Sequence, residues 1–338
     1  MMKKERKLGL NFINTYRAYF FLALILICGI SVKNFFSAYN IQAVTGNGSL
    51  VIWLGLGFTM CLIAGHMDLT VMYVSTFAAL LCLGLRANNE LPWGVCIVIA
   101  TLAGTVIGFI NGILVAKVKI HSFIATLGMQ FVVKGIMYIY TGGAELSIGR
   151  DYAFNEILNG KVGPLPLSVY FVITTAVMLV LMVVLRYTRL GRNICMVGGN
   201  LDTAWLAGVK SDLVTIVTFV ISSTVCALGG ALNGIYSGSA SITMGEKGIS
   251  PLMIALTATI IGGTSLSGGK GSVVWTWVAL VAVSFLKSLC KKTEMQVLVI
   301  AAILIICIVY ETTAQYRRDR VVGIRPNLHL EHLEEMKK

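Results

Sequence analysis

Residues 93–116 read WGVCIVIATLAGTVIGFINGILVA, twenty-four positions without one Asp, Glu, Lys or Arg. A helix needs about 20 mainly apolar residues to cross the hydrocarbon core of a bilayer. This stretch is long enough, and its only hydroxyl and amide side chains are Thr101, Thr105 and Asn111. Nine further apolar runs flank it, near 18–32, 50–64, 71–85, 122–141, 167–186, 213–237, 251–263, 272–289 and 294–311. Three of them, 50–64, 71–85 and 251–263, are shorter than a full crossing, which predicts broken or re-entrant helices.

The rest of the chain agrees. Of 338 residues, 57% are hydrophobic and 12% charged, about half the ~25% charge of a soluble domain. That excludes a soluble enzyme and leaves no room for a large soluble domain. The predicted fold class is an all-α polytopic membrane protein of about ten transmembrane helices, some broken or re-entrant, in one bundle. Thirty-five glycines and five prolines suit closely packed helices. The eight cysteines (Cys28, Cys61, Cys82, Cys96, Cys195, Cys226, Cys290 and Cys307) fall mostly in apolar runs, with no C-x-x-C pair. They read as small apolar fillers.

The net charge of +12 would point to nucleic acid in a soluble protein. Here it reads as an orientation signal. With each run taken as one crossing, the N-terminal tail, the 117–121, 186–212 and 262–271 loops and the C-terminal tail carry eighteen Lys and Arg, against eight on the other side. The positive-inside rule then puts both termini in the cytoplasm, and Lys287, Lys291 and Lys292 run against it. Three regions follow: a basic tail at 1–17, a membrane domain at 18–311 and a charged tail at 312–338. Residues 1–17 with the apolar run after them resemble a signal peptide, but no A-x-A site follows. The run is expected to stay as the first span.

The polar residues that remain gather in a few motifs. In Gly65-His66-Met67-Asp68-Leu69-Thr70, an Asp between apolar runs costs ~2.5–3.5 kcal/mol at a helix centre. Gly65 can break one helix, and Asp68 and Thr70 can cap the next. Two readings stand, a structural cap and a contact to substrate or proton. His66 reads as a packed polar neighbour, since His329 and His332 lie far off in the tail. A second segment, Gly262-Gly263-Thr264-Ser265-Leu266-Ser267-Gly268-Gly269-Lys270-Gly271-Ser272, suggests a phosphate loop and fails the pattern. G-x-x-x-x-G-K-[ST] needs Gly where Thr264 stands and Ser or Thr where Gly271 stands. A tight glycine turn between helices is the better account.

These two segments parallel each other, as do Gly108-Phe109-Ile110-Asn111-Gly112 and Gly230-Ala231-Leu232-Asn233-Gly234. Their order is swapped between the halves, so an internal repeat stays an open reading. In the 186–212 loop, Asn200 is suited to cap a short helix over Leu201–Ala207 that Gly208 ends. Trp205 on it is either a docking knob for a partner or an anchor in the headgroup layer. On the 122–141 run, Gln130 and Lys134 share a side by i, i+4 spacing, and Lys134 can snorkel to the interface. No catalytic triad, carboxylate pair or metal spacing is present in the sequence.

At these motifs the chain resembles the membrane permease subunits of ribose-type ABC importers, which carry monosaccharides and related compounds. The likeness runs from about residue 50 to 310. The family's G-G-I-D-L-S-V-G is matched from Gly65 to Val71, its F-I-A-T-L-G at Phe123–Gly128, its G-R-x-x-x-A-x-G-G-N from Gly191 to Asn200, and its I-G-G-T-S-L-S-G-G-x-G-S from Ile261 to Ser272. The resemblance implies a second permease subunit, identical or not, a cytoplasmic ABC ATPase and an extracytoplasmic sugar-binding protein. It implies no cofactor in this chain, with ATP and Mg held by the ATPase, and no nucleic-acid partner. It also implies a bacterial inner-membrane location. The loop at about 189–210 would be the coupling element, through Gly199, Asn200, Asp202, Thr203, Ala204, Trp205, Ala207 and Gly208.

There are departures. His66 stands for the second glycine and Met67 for an aliphatic residue. Ser250 and Pro251 stand in a stretch where an acidic residue is common, and Lys287-Ser288-Leu289 for N-G-L. These fit one half of an unlike permease pair. The expected function is therefore the translocation path of an ATP-driven importer for a monosaccharide. The candidate path residues are His66, Asp68, Thr70, Asn111, Gln130, Asn233, Thr264 and Ser265. The alternatives are a nucleoside or signal-sugar permease of the same family, and a proton-coupled carrier using Asp68 and His66.

Overall fold

The computed structural model describes residues 18–148, 153–164, 166–245, 250–290 and 292–322. The expected N-terminal tail at 1–17 and the end of the C-terminal tail at 323–338 lie outside them. The described residues form helices α1 (Ala18–Ile30), α2 (Ala38–Ile63), α3 (Val71–Asn89), α4 (Trp93–Ala116) and α5 (Ser122–Thr141). After strand β1 (Leu146–Ser147) come α6 (Ala153–Asn159), α7 (Val169–Tyr187), α8 (Arg189–Gly199), α9 (Leu201–Leu206) and α10 (Ser211–Ser237). Strand β2 (Ser239–Ala240) and a 3-10 turn (Ile242–Gly245) lead to α11 (Pro251–Ile261), α12 (Val273–Leu289) and α13 (Thr293–Val322). The only paired strands among the described residues are β1 and β2, antiparallel, with Leu146 opposite Ala240. The chain is an all-α multi-pass membrane protein, and among the described residues six helices are long and apolar enough to cross.

Two expectations about short runs are corrected. The run at 50–64 is the second half of the 26-residue α2, and the run at 71–85 belongs to the 19-residue α3. Apolarity underestimates α2 because its first half carries Asn40, Gln42, Thr45, Asn47 and Ser49. These polar groups find protein partners instead of lipid. The Gln42 amide donates to the Asn159 carbonyl at 2.6 Å, and Ser288 donates to Asn40 Oδ1 at 2.9 Å. Thr45 and Ser49 turn back on the carbonyls of Ile41 and Thr45 at 2.8 Å. From Leu50 to Ile63 every residue of α2 is buried, so this helix is the axis of the bundle. The last turns of α3 hold Arg86, whose guanidinium donates to the carbonyls of Glu90 and Leu91 and closes the helix.

The third short run behaves as predicted. α11 has 11 residues, about 16 Å at 1.5 Å per residue, roughly half the ~30 Å hydrocarbon core. Ahead of it the chain descends into the bundle. Ile242, Ser250 and Leu252 line one cavity with Met72, Tyr73, Thr76 and Gln130, and Gln130 lies midway along α5. Irregular backbone at such a depth is tolerated only where protein or a cavity surrounds it. At the far end of the sequence, α13 runs unbroken to Val322, past the expected tail boundary at 311.

Glycines set how closely α10 packs against its neighbours. A Cβ on Gly108 of α4 would lie 2.5 Å from the Ser223 Cβ, and one on Gly112 would lie 2.8 Å from the Ile216 Cα. Two turns further along the same stripe of α10, a Cβ on Gly230 would reach within 2.0 Å of the Ser75 carbonyl oxygen. The two similar Gly-x-x-Asn-Gly segments thus do the same job, one bringing α4 onto α10 and the other α10 onto α3. Lipid gives apolar helices no reason to associate beyond packing and hydrogen bonds, so this contact is the stabilising one. Gly230→Val should cost about 1–3 kcal/mol or more by overpacking, seen as a lower unfolding temperature in detergent. Gly128→Val, where an added Cβ meets nothing within 4 Å, should leave it unchanged.

Candidate functional site

The site starts where α2 ends. Gly65 has a φ of +81°, a conformation strained for any side chain, and it turns the chain towards α3. Three residues on, Asp68 is fully buried. Its Oδ1 accepts from the Thr70 backbone N–H at 3.0 Å and from the Thr70 hydroxyl. Its Oδ2 accepts from Ser222 of α10 at 3.2 Å. Asn111 of α4 donates from Nδ2 to Thr70 Oγ1 at 3.0 Å. One carboxyl therefore ties the turn to α10 directly and to α4 through Thr70. Of the two expected caps, only Asp68 bonds the helix start; the Thr70 hydroxyl makes no cap bond. Burial raises the Asp68 carboxyl above its ordinary pKa, and the bonds from Thr70 and Ser222 partly oppose that.

His66 sits beside this network but outside it. Its Nε2 is 3.3 Å from Thr215 Oγ1, and its ring stacks at a tilt on Phe219, 5.8 Å between centroids. Burial, with a smaller effect from His121, pushes its pKa down to about 4, so it is neutral at physiological pH. His66 and Asp68 bond different residues, Thr215 for the one and Thr70 and Ser222 for the other. Thr264 is buried with its hydroxyl 3.5 Å from that of Thr276. Ser265 shapes its own turn, with its N–H on the Lys270 carbonyl and its hydroxyl accepting from the Ser267 N–H. Asn233 is buried on α10, and Gln130 lies apart on the mid-depth cavity.

The two glycine-rich turns meet back to back. The Gly269 N–H donates to the Ile63 carbonyl at 2.8 Å. A Cβ on Gly268 would sit 2.7 Å from the Gly65 Cα. The end of α8 completes the contact: a Cβ on Gly198 would lie 1.9 Å from the Ile63 oxygen, and one on Gly269 would lie 2.5 Å from the Gly199 Cα. Three backbone segments touch here with no side chain between them. The segment resembling a phosphate loop is thus filled by protein. The similarity of the Gly65 and Gly262 segments reflects two turns built to dock on each other.

The predicted short helix follows the α8 contact directly. Asn200 Oδ1 accepts from the Thr203 N–H at 2.8 Å and caps α9, and Gly208, at φ +76°, ends it. Ala204 is buried and fixes α9 to the bundle, whereas Trp205 and Leu206 are 70% and 77% exposed. At the base of α10, Asp212 accepts from Lys119 at 2.7 Å and pairs with Lys117 at 3.6 Å, holding the 117–121 loop beside α9. Sequence reasoning missed Ser222 and the cavity residues Tyr73 and Thr76. They lie in runs that read as ordinary apolar helix, and only their tertiary partners single them out.

A family model described as the permease component of branched-chain amino acid transport systems matches residues 40–308. The chain belongs to this family of membrane permease components. Among its relatives is the ribose import permease protein of Haemophilus influenzae, 32% identical over 274 residues, 80% of this chain and 83% of that one. The xylose/arabinose import permease protein of Sulfolobus acidocaldarius is 30% identical over 258 residues, 74% of this chain and 70% of that one. The ribose import permease protein of Bacillus subtilis is 29% identical over 264 residues, 78% and 79% of the two chains. No solved structure matches it.

The permease's buried carboxyl gives a pH test. Because burial raises the folded-state pKa of Asp68, its contribution favours the fold below the unfolded value of about 4. It is lost as pH rises through the folded value. Asp68→Asn keeps an acceptor for Thr70 and removes the titration. Relative to this variant, the wild-type unfolding temperature in detergent should fall as pH rises from about 4 towards neutrality. Asp68→Leu, which strands the Thr70 and Ser222 donors, should unfold below both throughout.

Proposed function

We propose that this permease is the transmembrane subunit of an ABC importer and forms the path for a monosaccharide, ribose-like or a related pentose or hexose. A separate cytoplasmic ATPase, holding ATP and Mg, drives it. An extracytoplasmic binding protein delivers the sugar, and a second permease, identical or not, completes the pore. The observation that carries this reading is α9, a six-residue helix held at both ends and presenting Trp205 and Leu206 to the outside. A rigid aromatic on a capped helix suits insertion into a cleft of a partner. The import permeases of ribose and of xylose or arabinose among the relatives support the sugar class.

Orientation follows from charge. The α9 end of the bundle also carries Lys117, Lys119, Arg189, Arg192, Lys210 and Lys270, which favours the cytoplasm. Both termini then lie on that side. The α2–α3 turn, the α11–α12 turn and the end of α8 meet at this face, so a push on α9 reaches both turns through backbone contact alone. That is a direct route from nucleotide-driven motion to the helix breaks beside the path.

Trp205→Asp combined with Ala207→Asp places two charges on exposed positions of α9 and removes its apolar tip. The doubly substituted permease should keep the wild-type unfolding temperature and lose co-purification with the ATPase. Retained co-purification would remove the coupling assignment.

A further inference from the structure

The mid-depth cavity between α3, α5 and the start of α11 has no role in the coupling route. Its volume is about 110 Å3, several times the ~30 Å3 share of one water molecule, and well below the ~300–1,000 Å3 of drug-sized sites. Tyr73, Thr76, Gln130 and Ser250 bring a phenol, two aliphatic hydroxyls and a primary amide to its wall. None of the described residues on the wall is charged. Thr76 spends its proton on the Met72 carbonyl at 3.0 Å and keeps acceptor capacity. Ser250 is the N-cap residue of α11, yet its hydroxyl makes no cap bond. The side chains of Gln130 and Tyr73 make no hydrogen bond to the described protein either. Tyr73, Gln130 and Ser250 are half-buried, so among the described residues they leave hydrogen-bonding capacity open towards one small cavity.

We infer that this cavity is a monosaccharide site on the translocation path, read by Tyr73, Thr76, Gln130 and Ser250. The chemistry fits a neutral polyol. A primary amide can accept from one hydroxyl and donate to its neighbour, which suits adjacent hydroxyls of a sugar. Thr76 can accept from a sugar hydroxyl, the Ser250 and Tyr73 hydroxyls can accept or donate, and an aromatic ring such as that of Tyr73 suits sugar C–H groups. None of the described lining residues would neutralise a sugar acid or a phosphate. The position fits as well: a half-membrane helix, α11, begins at the cavity, and transporter sites form where discontinuous helices start near the bilayer midplane. This inference rests on the proposed import function and adds to it which residues select the sugar.

The test uses the complete importer, purified with its ATPase and binding protein and reconstituted in liposomes at saturating binding protein. Uptake of labelled pentoses and hexoses is measured together with ATP hydrolysis. Gln130→Ala should lower the sugar moved per ATP about fivefold to tenfold, the loss expected for one or two hydrogen bonds. Tyr73→Phe, which keeps the ring and its packing, should lower it about threefold and change the order in which sugars are preferred. Lys161→Ala, in an exposed loop, should match the wild type. A residue that only supports the fold would reduce uptake and hydrolysis together and leave their ratio alone. An unchanged ratio and sugar order in both variants, with normal wild-type uptake, would overturn the cavity and spare the importer. A wild-type importer that moves no pentose or hexose would overturn the sugar reading and the cavity with it.

Discussion

The hydrogen bond from the Gly269 N–H to the Ile63 carbonyl is the contact on which the arrangement at the α9 end depends. It can form only because Gly65, Gly198, Gly268 and Gly269 leave no side chain between three backbones. A Cβ at Gly198 would stand 1.9 Å from the same carbonyl oxygen. Backbone groups at a helix end need partners, and here the last residue of α2 finds one in a turn some 200 positions away. The end of α8, the α2–α3 turn and the α11–α12 turn therefore behave as a single joint. Displacing one by an ångström must displace or part the others, since close-packed backbones have no flexible tip to absorb the change.

The same joint explains where the buried polarity lies. Asp68 is expensive to bury, and it is tolerated because two hydroxyls and one backbone amide converge on it. Those donors come from the turn itself and from α10, while Asn111 secures Thr70 from α4. The carboxyl is thus a structural tie at the closed end of the bundle. This favours the structural side of the two readings its sequence context left open. His66 packs on Phe219 and Thr215 and adds a second link from the same turn to α10.

Much of the fold was legible in the chain. The spans at 93–116 and 122–141 match their helices at both ends, because a long apolar run, uncharged in the first and with Lys134 alone in the second, stops at a charged or glycine turn. α9 was legible too, from Asn200 and Gly208 at its ends. The first half of α2 was not, because Asn40, Gln42 and Thr45 read as loop until Asn159 and Ser288 are seen to meet them. The candidate site was legible in part. Asp68, Thr70 and Asn111 form one hydrogen-bonded set, and His66 packs beside it on Thr215 and Phe219. The glycine joint was invisible, since glycine in a motif announces a turn and not which backbone will press against it. The cavity was hardest to read: Tyr73 and Thr76 belong to an ordinary-looking apolar helix, and only Gln130, Ile242 and Ser250 beside them give them a shared wall.

The joint and the cavity occupy different depths of one bundle, and α3 and α11 link them. α3 leaves the Asp68 turn and passes Tyr73 and Thr76 within its first two turns. α11 starts at the cavity with Ser250 and Leu252 and ends at Gly262, where the glycine-rich turn begins. α11 therefore has one end at the cavity wall and the other at the joint, whereas the first two turns of α3 touch both. Helices move as stiff rods over such lengths, so a shift at the joint changes the cavity without any further mechanism. On the proposed coupling route, α9 acts on the joint, the joint acts on these two helices, and the helices open or close the space in which a solute is held. α11 is short, 11 residues, and buried along most of its length against α2, α12 and α13, so a shift of the joint at its end is passed on through the packed bundle to the cavity at its start.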